Sequence, residues 1–230
     1  MIIIILALVA IGGILIICRN QKKESVPFAE FTDEEYETHF DLKMSGIEEV
    51  LGKSHELVGH AIIPFDAGGA VDMYYFPNGI KGTGFATLEL INPDGSGPME
   101  NSMGTYELVS FTKLAFSNDE DSDFFKIERR MCGVFTKLGF YSKDACINPR
   151  ETCEVPQEDG QPNICLIFDE YTFDDKQFKI GDRKHGLLLV VEIFLEEMQY
   201  AIDNGGEKLI DLLKKKGHYP YSDMNREPVV

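Results

Sequence analysis

The chain contains no tryptophan, and only five of its 230 residues are cysteine. No pair of those cysteines has C-x-x-C spacing, which argues against a zinc knuckle or a thiol redox centre. No G-x-S-x-G elbow is present, so a hydrolase serine on a strand-to-helix turn is not expected. Cations are scarce: 22 Lys and Arg face 39 Asp and Glu, for a net charge of −17. A surface of that sign repels phosphates, so nucleic acid is not expected as a partner; the charge reads first as a well-solvated surface, with steering of a basic partner protein as the sharper alternative. No internal repeat occurs. What the chain does have is 43% hydrophobic residues, with 16 Phe and 9 Tyr, enough for a full core.

The longest uncharged run is Ile2–Cys18, whose 17 residues make about 26 Å of helix at about 1.5 Å per residue. That length is at the short end of a membrane span. No Lys or Arg precedes the run and no A-x-A site follows it, so an anchor is favoured over a cleaved signal. Arg19, Lys22 and Lys23 follow at once, and positive flanks stay in the cytoplasm. The expectation is a single-pass membrane protein with a transmembrane anchor at 1–18, a juxtamembrane linker at 19–27, a cytoplasmic domain at 28–217 and a C-terminal tail at 218–230. An exported domain with a Cys146–Cys153 or Cys153–Cys165 bridge is the alternative.

Within the domain, Thr32-Asp33-Glu34-Glu35 is a capping box that predicts a helix to about Lys43. Ser45-Gly46-Ile47-Glu48 repeats the signal and predicts a second short helix ending near Gly52, with Phe40, Met44, Ile47 and Leu51 facing the core. The period then changes to two. His60–Phe65, Val71–Phe76, Phe85–Ile91 and Tyr106–Leu114 are expected to be strands, joined by Gly/Pro/Asn-rich turns. A helix follows Ser122, with Phe124, Ile127, Met131, Val134 and Leu138 on one stripe. Residues 144–162 are expected to be an irregular insert. Strands return at Ile164–Tyr171 and Leu187–Phe194, the second apolar on both faces as a central strand is. Two helices close the domain, from about Glu196 to Asp203 and over Glu207–Lys216. The expected fold is α+β, a mixed and largely antiparallel sheet packed by helices.

Chemistry-bearing motifs are near misses. His55-Glu56-Leu57-Val58-Gly59-His60 puts its second imidazole one residue too late for a zincin helix. Asp119, Asp121 and Asp123 have the spacing of a calcium loop, but Phe124 and Arg130 stand where glycine and glutamate belong. Gly82-Thr83-Gly84 leads into a strand, whereas a phosphate cradle needs a helix behind it. No catalytic set, metal or cofactor is expected. Asp66, Asp72 and Glu89 remain as carboxylates that could serve a hydrolase if folding brought them into one pocket. In Tyr74-Tyr75-Phe76 strand alternation sends Tyr75 opposite to its neighbours, so core packing competes with display of an aromatic to a partner. Tyr74, Tyr75 and Phe76 are therefore candidate partner contacts, as are Asp119, Asp121 and Asp123 for a basic partner.

Three segments together resemble the Suppressor of fused domain family: Asp72-Met73-Tyr74, Gly97-Pro98-Met99 and Tyr106-Glu107-Leu108 follow its D-x-Y, Gly–Pro–Met and [YF]-E-L order. The end of the domain is similar as well, with Val190-Val191-Glu192-Ile193-Phe194 followed by Glu197, Ala201, Asn204-Gly205, Leu209 and Leu213. The resemblance spans about Ile47 to Lys216 and implies an α+β protein-binding domain. Animal relatives sequester zinc-finger transcription factors of the Hedgehog pathway, and some bacterial relatives are thought to neutralise toxins as immunity proteins. The stretch after the apolar run has no room for the animal form's second domain, so the Hedgehog role is not transferred. Three functions stay open: a membrane-anchored module that sequesters a basic partner or acts as an immunity protein against it, a carboxylate-dependent hydrolase or other enzyme, and an inert structural domain of the envelope.

Overall fold

Thr32 starts the first helix as its sequence requires. Its hydroxyl accepts from Glu35 N at 3.2 Å while the Glu35 carboxylate accepts from Thr32 N at 2.8 Å. The computed structural model describes residues 31–157 and 160–230. The run Ile2–Cys18 and its linker lie outside them, and among the described residues no helix is long and apolar enough to cross a membrane.

Helix α1 runs unbroken over Asp33–Leu51, where two helices were expected. Gly46 sits inside it for a packing reason: a Cβ there would lie 1.8 Å from the carbonyl oxygen of Lys179. The glycine signals a close crossing, not a break. Strand β1 (Val58–Gly59) pairs with β2 (Met73–Phe76), which pairs with β3 (Thr83–Ala86) and then β4 (Tyr106–Thr112), all antiparallel. Helix α2 is Asp123–Tyr141, capped by Ser122 Oγ accepting from Phe125 N at 3.2 Å. Strand β5 (Thr152–Val155) lies within the segment expected to be irregular and pairs with β6 (Ile164–Glu170). A small hairpin follows, β7 (Lys179–Ile180) and β8 (Arg183–Lys184). Strand β9 (Gly186–Ile193) then enters the middle of the sheet, antiparallel to β6 and parallel to β4. Helices α3 (Leu195–Asn204) and α4 (Gly206–Lys215) end the regular structure. The sheet order is β1-β2-β3-β4-β9-β6-β5.

Both faces of this sheet are buried. Ile47, Val50 and Leu51 of α1, with Ala201, Leu209 and Leu213 of α3 and α4, pack on one face against Tyr74, Phe76, Val109, Leu189 and Val191. Phe124, Met131, Val134 and Leu138 of α2 cover the other with Met73, Tyr75, Phe85, Leu108 and Val190. Successive residues of β2 and β9 therefore enter opposite cores, which is why those runs are apolar without interruption.

Two of the expected strands are cut short by carboxylates. Asp72 accepts from Ala61 N at 2.8 Å and bonds His60 Nδ1 at 2.7 Å, which turns 60–64 out of the ladder; Ile62 and Ile63 are left exposed. Regular pairing of β3 stops at Ala86: Thr87 N–H still donates to Leu108 O at 3.1 Å, but Leu108 N donates to the Thr87 hydroxyl, and the later donors Leu90 N and Ile91 N go to Glu107. That carboxylate, fully buried in β4, accepts from the Thr87 hydroxyl (2.7 Å), Leu90 N (3.2 Å) and Ile91 N (3.1 Å). Lys43 of α1 completes the cluster, donating to Glu107 (3.0 Å), Leu88 O (2.8 Å) and Ile91 O (2.6 Å).

Residues 218–230, expected as a polar tail, are seated on the domain. Ser222 is buried, its N–H donating to Phe111 O at 2.8 Å and its hydroxyl bridging Val190 O and Glu192 N, both at 3.1 Å. Arg226 then forms a buried pair with Glu197 of α3 at 2.6 and 2.7 Å. The segment fills the gap beyond Val109 and Leu189, where the parallel pairing of β4 and β9 ends. The four cysteines of the described residues are free thiols.

Removing one partner of a buried pair costs about 3–5 kcal/mol, because the other charge stays behind. Lys43→Met is expected to lower the melting temperature by roughly 6–20 °C, at about 2–4 °C per kcal/mol for a domain of this size. Lys43→Met combined with Glu107→Gln is expected to recover part of that loss, because the orphaned charge is gone. Thermal unfolding followed by circular dichroism checks both.

Candidate functional site

Only the C-terminal half of α1 is buried. Its N-terminal half stands above the Leu88–Pro93 stretch and the start of β2, leaving an open groove of about 550 Å³. Phe40 was expected in the core. It is 38% exposed instead and forms a groove wall with Tyr36, its ring 6.0 Å from that of Tyr74 on β2. Opposite lie Leu88, Glu89 and Ile91, with Asp66 from the short 3-10 turn Phe65–Ala67.

The polar groups of the groove divide into committed and uncommitted ones. Lys43 lies at its floor, and its three N–H donors are matched by three oxygens, so its charge is cancelled by Glu107 within the protein. His39 bonds Ile91 O through Nε2 at 3.0 Å, and burial together with the nearby Lys43 charge lowers its pKa. Glu37, Asp41, Asp66 and Glu89 supply negative charge with no free cation beside them among the described lining residues. Glu89 is the most perturbed. Burial, reinforced by the charges of Asp72, Glu107 and Asp66, pushes its carboxyl up to about 7, although Asp72 N–H donates to its Oε2 at 2.8 Å.

The residues singled out in the sequence are distributed as follows. Tyr74 reaches the groove. Phe76 is fully buried on the same face, and Tyr75 lies under α2, donating to buried Glu128 at 3.1 Å. Tyr75 and Phe76 are thus core residues, because a central strand covered on both faces has no outer side. Asp119, Asp121 and Asp123 are exposed at the start of α2, on the opposite face of the sheet from the groove. Asp119 Oδ1 accepts from Asp121 N at 3.1 Å and Asp123 pairs with Lys126 at 2.9 Å, so they shape the helix entry. His55 stacks on Phe116 at 4.0 Å between centroids, while His60 bonds Asp72, so these two imidazoles have separate roles. Of the three carboxylates considered for hydrolysis, Asp66 and Glu89 share the groove. Asp72 touches Glu89 only through its backbone. Tyr36, Glu37, His39 and Asp41 were not anticipated, because α1 reads as a core helix; the available signal was the pairing of Tyr36 with Phe40, one turn apart.

No family model matches the chain, and no curated protein matches it. Among solved structures, the chain is similar to that described as the Sufu-Fu complex crystal structure, with a TM-score of 0.54 and 12% identity over 83% of this chain and 92% of that one. The fold is Suppressor of fused-like. At this identity the likeness speaks for architecture, and the Suppressor of fused-like arrangement of a mixed sheet between helices agrees with that implied by Asp72-Met73-Tyr74 and Tyr106-Glu107-Leu108. Glu107 of the second motif is the buried hub of the groove floor, so this motif residue has a structural role.

Glu89 offers a direct test of the site's electrostatics. A raised carboxyl pKa means that ionisation costs the folded state increasingly as pH climbs from the ordinary range near 4.5 to about 7. Glu89→Gln keeps the acceptor for Asp72 N–H and cannot ionise. It is expected to raise the melting temperature by roughly 2–4 °C at pH 8, with the difference vanishing below about pH 5. Thermal melts across that pH range measure it.

Proposed function

We propose that this chain is a protein-binding module, and that the groove between α1 and Leu88–Pro93 holds a basic segment of its partner that also carries apolar side chains. The observation behind this is one groove that joins exposed aromatic walls, Tyr36 at 46% and Phe40 at 38%, to a carboxylate lining whose buried cation is already neutralised. Aromatic anchors beside complementary charge are the usual makings of a protein contact. The net charge of −17 favours the same class of partner, and the similar solved structure is described as a protein complex. In this proposal Ile2–Cys18 tethers the module to a membrane, the domain lies in the cytoplasm, and the partner is sequestered there as by an immunity-type protein.

A second reading follows from Glu89. A carboxyl titrating near 7 beside Asp66 has the properties of a general acid or base, so a carboxylate-dependent enzyme is the alternative. Against it, no Ser, Thr or Cys is among the described residues that line the groove, so a nucleophile would have to be water.

Photo-crosslinking tests the proposal. A photoreactive amino acid at position 40 of the full-length protein in its native host is expected to capture a basic protein, while the same residue at position 121 is not. Phe40→Ala together with Asp41→Lys is expected to weaken binding of the captured protein by roughly tenfold or more. Capture at position 121 instead would move the interface to the acidic loop of α2, and capture at neither would remove the binding role.

A further inference from the structure

We propose that the end of the groove bounded by Glu89 and Asp66 is a socket for a single cationic side chain, arginine or lysine, of the partner segment, with its alkyl stem laid across Phe40 and Tyr74. This rests on the reading of the groove as a protein-binding site and names what that site selects.

The argument begins with which donors and acceptors are already used. Glu89 Oε2 accepts from Asp72 N–H at 2.8 Å, and its second oxygen has no hydrogen-bond partner among the described residues. Nor does the Asp66 carboxylate. Asp72 cannot supply charge to the same place, since both its oxygens are engaged by His60 and Ala61. Lys43 cannot swing over to neutralise Glu89, because its three donors are matched inside the floor. The groove therefore presents carboxylate oxygens at the foot of an aromatic wall, with no cation of its own to satisfy them. Among the described residues no group of three or more His, Cys, Asp or Glu side chains is placed to hold a metal ion. The walls are aromatic and aliphatic, which suits a long stem ending in a charge better than a hydrated ion. Phe40 and Tyr74 would add cation–π attraction at the same point.

The surroundings of Glu89 give the socket a sign of pH dependence. Asp66 faces it from the 3-10 turn, Asp72 from the start of β2, with His60 bonded to Asp72, and Glu107 from β4 with its Lys43 partner. His39 on α1 lines the same groove, and Cys132 on α2 lies near enough to feel the Glu89 charge. With the carboxyl pushed up to about 7 by burial and these acids, Glu89 is mostly neutral at pH 6 and mostly ionised at pH 8. A cation binds the ionised form, so affinity is present above about pH 7 and is lost as pH falls through it; the expected loss between pH 8 and pH 6 is about tenfold.

The test titrates the full chain with N-acetylarginine amide and, in parallel, with the neutral isostere N-acetylcitrulline amide, followed by amide chemical shifts in nuclear magnetic resonance. The socket predicts saturable shifts around Phe40, Tyr74 and Glu89 with the arginine probe, weaker by about tenfold at pH 6 than at pH 8. Glu89→Gln is expected to lose at least tenfold in affinity together with the pH dependence. Asp66→Asn, at an exposed side chain with no hydrogen bond among the described residues, is expected to weaken binding without removing that dependence. Equal shifts from arginine and citrulline, or a Glu89→Gln variant that binds as the native protein does, would overturn the socket. If the partner still crosslinks at position 40 in that case, the groove remains the binding site and only its cation selectivity falls. If position 40 captures nothing, the groove reading itself has failed.

Discussion

A carboxylate buried without exposure near the start of a strand is the constraint on which the rest of this structure depends. Glu107 has to be matched by donors, because an ionised group removed from water is costly unless it is paired and hydrogen-bonded. It gathers them from three places: the Thr87 hydroxyl, the backbone of Leu90 and Ile91, and the Lys43 ammonium. Each recruitment has a structural consequence. Taking Leu90 and Ile91 N–H keeps the residues after Thr87 out of strand pairing and holds them as an irregular rim. Taking Lys43 docks α1 at its midpoint, so the first half of that helix projects beyond the sheet. The groove is the space between those two consequences.

The same cluster explains the groove's electrostatic character. Lys43 is buried at its floor and is neutralised within the protein by Glu107. The rim carboxylates then act without local compensation, and Glu89, pressed among other acids and partly withdrawn from water, is held near the point of ionisation at neutral pH. Under the proposed binding role, selectivity would arise from what the protein leaves unmatched. A neutral or anionic segment would bury Glu89 with nothing to pair it, whereas a basic one relieves the repulsion.

A likeness of fold at 12% identity is what this architecture allows. A sheet covered on both faces demands apolar residues at successive strand positions, and many sequences satisfy that demand. Function resides in what is grafted on the scaffold; under the proposed binding role that is the overhanging helix with Tyr36 and Phe40 on its open side.

The sequence by itself determined the elements whose causes are local. The Thr32 capping box, the Ser122 cap, the glycine between α3 and α4, and the uninterrupted apolar run of β9 all act within a few residues or follow from burial on both faces. It also placed Tyr75 opposite to Tyr74 and Phe76, and left it to fold in under a helix. What it could not determine is where long-range pairing overrides local preference. Ser45-Gly46 looks like a break, but it accommodates the Lys179 backbone, 133 residues further on. Phe85–Ile91 looks like one strand, but a carboxylate from β4 takes the hydrogen bonds of its second half. Residues 218–230 look like a tail, but Ser222 and Arg226 find partners on β4, β9 and α3. In each case the deciding atom comes from a distant part of the chain, and only the tertiary structure brings it into contact.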